Sequence, residues 1–226
     1  VGLSEPTPQA ERVQKALMEM LTKGIDESCD SIKVESEFIP GNMVNALSVA
    51  HYENGYSALS CGDTENALWH FERGLSVIER GYAGEPLLAA DLSIDFHLGA
   101  GRAHEEENDL DAAGESYENA VSLGLLMIET LQHESSKREL SVSLDSLARV
   151  KELQGLLREA KPLYEDGLKL IEELRDKNGG TISLERDYAV SLDNLARVSW
   201  KMGNVDVARR RYVEAFEVTQ RLAEWQ

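Results

Sequence analysis

The stretch SLDSLARV, residues 143–150, returns almost unchanged as SLDNLARV at residues 191–198. Seven of the eight letters are identical, and the two copies lie 48 residues apart. A catalytic site usually draws single residues from scattered elements, so it offers no reason to repeat a whole phrase. A fold built from stacked copies of one structural unit does offer such a reason. The duplication therefore predicts a repeat architecture.

The similarity extends past the quoted phrase as a ladder of small and aromatic residues with constant spacing. A residue suited to a turn is followed by an alanine, an aromatic residue and a second small residue, and the four turns lie 46, 47 and 48 residues apart. The ladder residues are Gly62, Ala67, Phe71 and Gly74; Asn108, Ala113, Tyr117 and Ala120; Gly155, Ala160, Tyr164 and Gly167; and Gly203, Ala208, Tyr212 and Ala215.

Each of these units predicts two helices joined by a short turn. In the third unit, apolar residues recur at helical spacing from Val142 to Val150 and again from Leu156 to Ile171. Small residues at the same place in every unit favour close helix crossings, with an aromatic ring filling the space beside them. No strand pattern competes with this interpretation. We therefore expect an all-α chain of about nine helices arranged as a repeat array.

Four units account for residues 41–226, with approximate bounds at 41–86, 87–135, 136–180 and 181–226. Turn-forming residues separate the units. Residues 1–40 match the ladder less well: an amphipathic pattern after Pro8 predicts a capping helix, and residues 26–40 predict a charged connector.

Composition excludes several classes of function. The chain has 41 acidic and 23 basic residues, a formal charge of -18, which argues against a general nucleic-acid binder. No stretch approaches the roughly 18 to 20 apolar residues that a membrane helix needs, so no membrane association is expected. Cys29 and Cys61 are too few for a disulfide framework, and no signal peptide is evident. A cytoplasmic protein is the expectation.

The ladder resembles that of the tetratricopeptide repeat family, although the units are longer than the ordinary repeat of about 34 residues. In this they are similar to the extended repeats of kinesin-light-chain-like and bacterial arrays. The resemblance implies a right-handed superhelical α-solenoid of antiparallel helix hairpins. It also implies a scaffold that binds a protein or peptide segment in its concave groove and performs no chemistry.

The same resemblance assigns residues of each first helix to the groove. Arg102, Arg149 and Arg197 occupy the same place in three successive units. These arginines either offer forked donors to a ligand or pair with Asp145 and Asp193 one turn earlier, and the two interpretations are not exclusive. The groove residues implied by the resemblance are Tyr52, Tyr56, Leu98, Arg102, Asp145, Arg149, Asp193, Asn194, Arg197, Trp200 and Lys201.

Residues suited to catalysis or metal binding are scarce. His97 and His104 precede an acidic run at 105–109, which is a weak indication of a divalent metal and is more simply a solvated helix end. Neither cysteine has a His or Cys neighbour at ligand spacing. We expect no enzyme activity, no metal and no cofactor.

The alternative function is assembly, through the end units or the convex surface. In the last helix the repeat pattern directs Val205, Ala208, Tyr212, Ala215, Phe216, Leu222 and Trp225 toward their own unit. Val207, Val213 and Val218 are then apolar residues left over for another surface. They predict either a longer array or a homodimer formed through the C-terminal helix.

Overall fold

The computed structural model describes residues 41–131 and 135–224. All of them belong to one compact unit, Ile39–Gln226. The capping helix and connector expected within residues 1–40 lie outside the described residues. Eight helices occupy the described part of the chain: α1 Gly41–Ser60, α2 Thr64–Gly81, α3 Pro86–Glu106, α4 Leu110–Leu131, α5 Ser135–Leu153, α6 Leu157–Asn178, α7 Ile182–Lys201 and α8 Val205–Glu224.

The helices pack as successive antiparallel pairs, α1 with α2, α3 with α4, α5 with α6, and α7 with α8. Each second helix also packs on the first helix of the next pair, so the pairs form one continuous stack. The described residues contain no strand. The prediction of an all-α solenoid of helix hairpins is confirmed.

The turn inside each pair requires one residue in the left-handed region of backbone conformation. Gly62, Gly155 and Gly203 have φ angles of 76°, 79° and 80°, and Asn108 takes the same role with φ 61°. Glycine adopts this conformation without a Cβ clash, and asparagine tolerates it better than most residues do. The turn place of the ladder is therefore set by backbone sterics.

The alanines and aromatic residues of the ladder form the interior of each pair. Ala113, Ala160 and Ala208 have no exposed surface. A Cβ atom added at Gly101 would lie 2.5 Å from Cε1 of Tyr117, so the small residue in the first helix leaves room for the ring of the second. The repeated small residues thus allow the two helices of a pair to approach closely.

Candidate functional site

The inner surface of the stack is formed by the first helices of the pairs. Helix α1 contacts α3, α3 contacts α5, and α5 contacts α7, whereas the second helices of successive pairs do not approach each other to the same extent within the described range. The stack is therefore curved, with the first helices on the inner side. Residues of these helices that face neither their partner nor the next pair line a groove.

Glu105 of α3 joins the second pair to the third. Its Oε2 atom accepts a hydrogen bond of 3.0 Å from the Tyr117 hydroxyl and contacts Nη2 of Arg149, which comes from α5. Burial raises the pKa of Glu105, and the positive charge of Arg149 opposes that rise. The three residues form a joint in which a glutamate binds its own pair's tyrosine and the next pair's arginine.

Glu152 of α5 forms the same joint between the third and fourth pairs. Arg197 of α7 donates to both of its oxygens, over 3.0 and 3.1 Å, and the Tyr164 hydroxyl donates over 2.9 Å. The Nζ atom of Lys201 adds an ion pair at 2.8 Å. Burial alone would raise the pKa of Glu152, but hydrogen bonds from Arg197, Lys201 and Tyr164 outweigh it and lower the pKa to about 2.

These contacts give the aligned arginines a partner that the sequence interpretation had not assigned. Arg149 and Arg197 bind glutamates of the preceding pair. The expected pairing of Arg197 with Asp193, one turn earlier, is present only as a long contact of 4.0 Å from Nη1 of Arg197. The guanidinium groups of Arg149 and Arg197 therefore hold adjacent pairs together.

Asp145 of α5 also links to α7, but through hydrogen bonds with neutral side chains. Its Oδ2 atom accepts hydrogen bonds of 3.2 Å from Ser191 and from Asn194, while its Oδ1 atom is buried without a hydrogen-bond partner. Burial raises the pKa of Asp145 to about 6, against the effect of these two donors. A Cβ atom on Gly167 would lie 2.8 Å from Oδ1, so the glycine leaves room for the carboxylate.

The first and second pairs are joined by aromatic packing. The ring of Phe71 lies beside Gly55 and Gly99, and it makes edge contacts with Tyr56 and Phe96 at centroid distances of 5.3 and 6.3 Å. Tyr52 and Tyr56 also contact each other, at 4.7 Å. The glutamate place of this unit is taken by the buried Leu59. The charged joint therefore occurs at only two of the three interfaces between described pairs.

This change leaves Arg102 available on the inner surface. Its only ion pair within the described ranges is with Glu106 of the same helix, at 3.6 Å, and its side chain remains more than half exposed. Leu98 lies one turn earlier and is partly buried. Among the three aligned arginines, Arg102 is the one whose guanidinium is not held by a glutamate of another pair.

An apolar stripe runs beside the arginines. Val49, Val142 and Val190 are exposed and stand at equivalent places of α1, α5 and α7. Arg149 and Arg197 follow Val142 and Val190 by seven residues, which places valine and arginine on the same helix face. Asp95 stands at the equivalent place of α3. The candidate site is thus a groove with exposed valines and an available Arg102.

One pattern in the sequence could have revealed the joints. The units with glutamate at positions 105 and 152 have tyrosine at positions 117 and 164, whereas the unit with Leu59 has Phe71. Glutamate and tyrosine thus occur together in the second and third units, and leucine with phenylalanine in the first. The hydroxyl groups of Tyr117 and Tyr164 bind the two glutamates, and the ladder alone did not identify this contact.

The C-terminal helix differs from the sequence-based assignment. Val218 was predicted to lie on a free surface, but it is 2% exposed and packs in the core of the last two pairs. Val205, Tyr212 and Phe216 were predicted to face their own unit, but all three are exposed. Val213 is exposed as expected, and Val207 is partly buried. Trp200 lies with Tyr212, Val213 and Phe216 at the C-terminal end of the stack.

Two structural findings concern metals and membranes. Within residues 41–131 and 135–224, no group of three His, Cys, Asp or Glu side chains is placed to hold a metal ion. None of the helices described above combines the length and the apolar character needed to cross a bilayer.

Comparison with known proteins identifies the repeat. Residues 189–224, which span most of α7 and all of α8, match the sequence profile of the tetratricopeptide repeat. No protein of curated function matches the chain by sequence.

The fold is similar to that of BtubC (BKLC) from P. vanneervenii, with a TM-score of 0.51, 15% sequence identity, and coverage of 79% of this chain and 74% of that one. A kinesin light chain structure from Podosopora anserina, described as having nearly identical TPR-like repeats, gives a TM-score of 0.47 at 14% identity, covering 76% of this chain and 95% of that chain. A de novo designed helical repeat protein gives 0.39 at 21% identity, covering 81% and 96%. Residues 189–224 thus match a tetratricopeptide repeat, and the described helices form a solenoid of helix hairpins whose fold is similar to that of BtubC.

Proposed function

We propose that this protein binds a segment of another protein in the groove formed by its first helices, without chemistry of its own. The observation that carries this proposal is the row of exposed valines, Val49, Val142 and Val190, at equivalent places on the inner side. Isolated exposed apolar residues are ordinary, but a row repeated by the architecture is typical of a binding surface. A bound segment would place apolar side chains along this row.

Arg102 is the polar contact that we assign to the same ligand. A forked guanidinium donates well to a carboxylate or to backbone carbonyl groups. Arg149 and Arg197 are held by Glu105 and Glu152, so a ligand would have to displace those glutamates to use them. The available donor therefore lies in the second pair, and the apolar contacts extend to either side of it.

A peptide selection tests this function. Peptides chosen from a random library displayed on phage, with the purified chain as bait, are synthesised and measured by fluorescence anisotropy. Val142→Glu and Arg102→Glu should each weaken binding by about tenfold or more, as expected for residues at the centre of an interface. Circular dichroism should show unchanged helical content, because both side chains are exposed.

Leu125→Glu provides the matched control. Leu125 lies on the second helix α4 and has the same exposed fraction as Val142, 46%. The control should bind the selected peptides as the unaltered chain does. Peptides that bind equally well to the groove variants and to the control would show that the groove is not the binding surface.

A further inference from the structure

Large apolar side chains cluster at the C-terminal end of the stack, and none of the three valines of the row lines this cluster. We call this cluster the end patch and define it by its exposed members, which are Trp200 of α7 and Val205, Tyr212, Val213 and Phe216 of α8. Together with Arg209 they line a shallow groove of about 590 Å³. A contiguous exposed apolar surface of this kind marks an interaction site more often than scattered residues do.

The repeat itself shows what normally covers such a surface. The residue 48 positions before Tyr212 is Tyr164, which has 0% exposure against 39% for Tyr212. The residue 48 positions before Phe216 is Leu168, with 3% exposure against 67%. Places that are buried in the third pair are therefore open in the fourth.

Helix α7 is what buries these places in the third pair. Tyr164 and Leu168 belong to one core cluster with Leu184, Tyr188 and Leu192 of α7. The three α7 residues are spaced i, i+4 and i+8, along one side of the helix. The end patch is the equivalent of the α6 surface that α7 covers, so it is expected to accept another helix with apolar residues at the same spacing.

The side chains of the end patch also differ from their equivalents in the third pair, and the differences favour an apolar helix face as the occupant. The glutamates at 152 and 165 of the third pair are replaced by Trp200 and Val213. Lys161 pairs with Glu165 at 2.6 Å, whereas the equivalent Arg209 faces Val213 and has no ion-pair partner among the described residues. The last pair thus presents more apolar surface than the third pair does, beside one unpaired guanidinium.

We propose that the end patch binds an amphipathic helix of a separate partner protein, with large apolar residues at i, i+4 and i+8 and a carboxylate opposite Arg209. Charge complementarity favours a partner over a second copy of this chain. A two-fold pairing of end patches would bring Arg209 of one copy close to Arg209 of the other, and like charges at an interface oppose association. This site is separate from the proposed peptide groove.

A synthetic peptide with the sequence of residues 181–201 is the probe, because it carries the pattern that the end patch is expected to recognise. Labelled peptide should bind the chain saturably in fluorescence anisotropy. Phe216→Glu and Val213→Glu should each weaken binding at least about tenfold, since both would place a charge in an apolar contact. Peptide with Leu184 and Leu192 both changed to Glu should not bind.

Two control variants separate this site from the rest of the chain. Leu125→Glu and Val142→Glu should bind the peptide as the unaltered chain does, and both end-patch variants should keep their helical content because the substituted residues are exposed. Absence of peptide binding, or binding that Phe216→Glu does not weaken, would overturn the proposal. Weaker binding in Val142→Glu would place the peptide in the groove and would overturn it as well.

Light scattering tests whether a second copy of this chain occupies the end patch. The chain alone should be monomeric at concentrations where the peptide binds. A dimer that Phe216→Glu converts to a monomer would show that a second copy occupies the end patch, and it would refute the assignment to a partner helix.

Discussion

At the scale of single residues, Asp145 makes folding depend on pH. Burial raises its pKa to about 6, above the ordinary range of an aspartate, so folding favours the protonated carboxyl. The resulting stabilisation is complete below the unfolded-state pKa of about 3.9 and is lost as the pH rises through about 6. Glu152 acts in the opposite sense, because folding lowers its pKa to about 2 and so favours the ionised carboxylate. Its stabilisation is complete at pH values above the ordinary pKa of a glutamate and is lost as the pH falls toward about 2. Between neutral pH and about pH 5, Glu152 stays ionised when folded, so of these two carboxyl groups Asp145 contributes most of the change in stability with pH.

Asp145→Asn should remove this dependence. The amide carries no charge to desolvate and still offers an oxygen to Ser191 and Asn194. We expect the variant to be more stable than the unaltered chain at about pH 7.5 by about 1–3 kcal/mol, and the two to converge toward pH 4. Urea unfolding at several pH values measures the difference. Asp193→Asn, at an exposed site, is the control, and equal pH slopes for Asp145→Asn and the unaltered chain would contradict the prediction.

Arg197 and Arg102 should differ sharply when replaced, although they stand at equivalent places. Arg197→Met leaves the buried Glu152 without its forked donor and should cost about 2–4 kcal/mol of unfolding free energy. This is less than the roughly 3–5 kcal/mol typical of breaking a fully buried pair, because Lys201 and Tyr164 still contact Glu152. Arg102→Met removes an exposed pair within one helix and should change stability by less than about 0.5 kcal/mol. Urea denaturation compares the two. Similar losses would mean that the Glu152 joint contributes little to stability.

Sequence reasoning aligned the three arginines correctly but did not find the partners of Arg149 and Arg197. Helical periodicity relates residues within one helix, so it offered Asp145 and Asp193 one turn away. Which residue of the preceding pair faces an arginine depends on the rotation between pairs, and that rotation is set by packing of whole helices. The joint of Glu105 with Tyr117 and Arg149 became visible only in three dimensions.

At the scale of helices, the close crossings depend on glycines that are not equivalent. A Cβ atom at Gly101 would lie 2.5 Å from the Tyr117 ring, whereas one at Gly114 would lie 3.7 Å from Val150, an ordinary contact. Both residues are inside helices. The two sites therefore separate the packing effect of a methyl group from its effect on helix propensity.

Gly101→Ala should destabilise the chain, and Gly114→Ala should stabilise it. Alanine in a helix is favoured over glycine by about 0.5–1 kcal/mol, and only Gly114 can gain this without a clash. At Gly101 the ring must move, and overpacking of a core typically costs about 1–3 kcal/mol. Thermal unfolding followed by circular dichroism gives both signs. A gain in stability for Gly101→Ala would show that Tyr117 shifts freely.

Helix pairs were the part of the structure that the sequence predicted best. The ladder placed a turn at Gly62, Asn108, Gly155 and Gly203, and the backbone has its left-handed residue at each of them. Local backbone chemistry and the spacing of apolar residues determine these features. Exposure of Tyr212 and Phe216 was not predicted, because the pattern of α6 was carried over to α8 although burial in α6 depends on the helix that follows it.

At the scale of the whole molecule, the excess of acidic residues should oppose folding. A formal charge of -18 repels itself more strongly in the compact state than in the unfolded chain. Raising NaCl from about 0.05 M to about 0.5 M shortens the range of this repulsion and should raise the thermal midpoint. The same change in salt near the isoelectric point of about 4.7 should have a much smaller effect. A midpoint that falls with salt at neutral pH would indicate that the ion pairs outweigh the repulsion.

The charged joint also restricts the order in which pairs of this kind can be stacked. Joining pairs in this way requires a glutamate from one pair and an arginine from the next, as at Glu152 and Arg197. The fourth pair has Trp200 at the glutamate place, and the first has Tyr56 at the arginine place. A fourth pair followed directly by a first pair would therefore lack both charged groups at the junction. The joint thus acts against a rearranged order of the pairs, such as one formed when two copies exchange pairs.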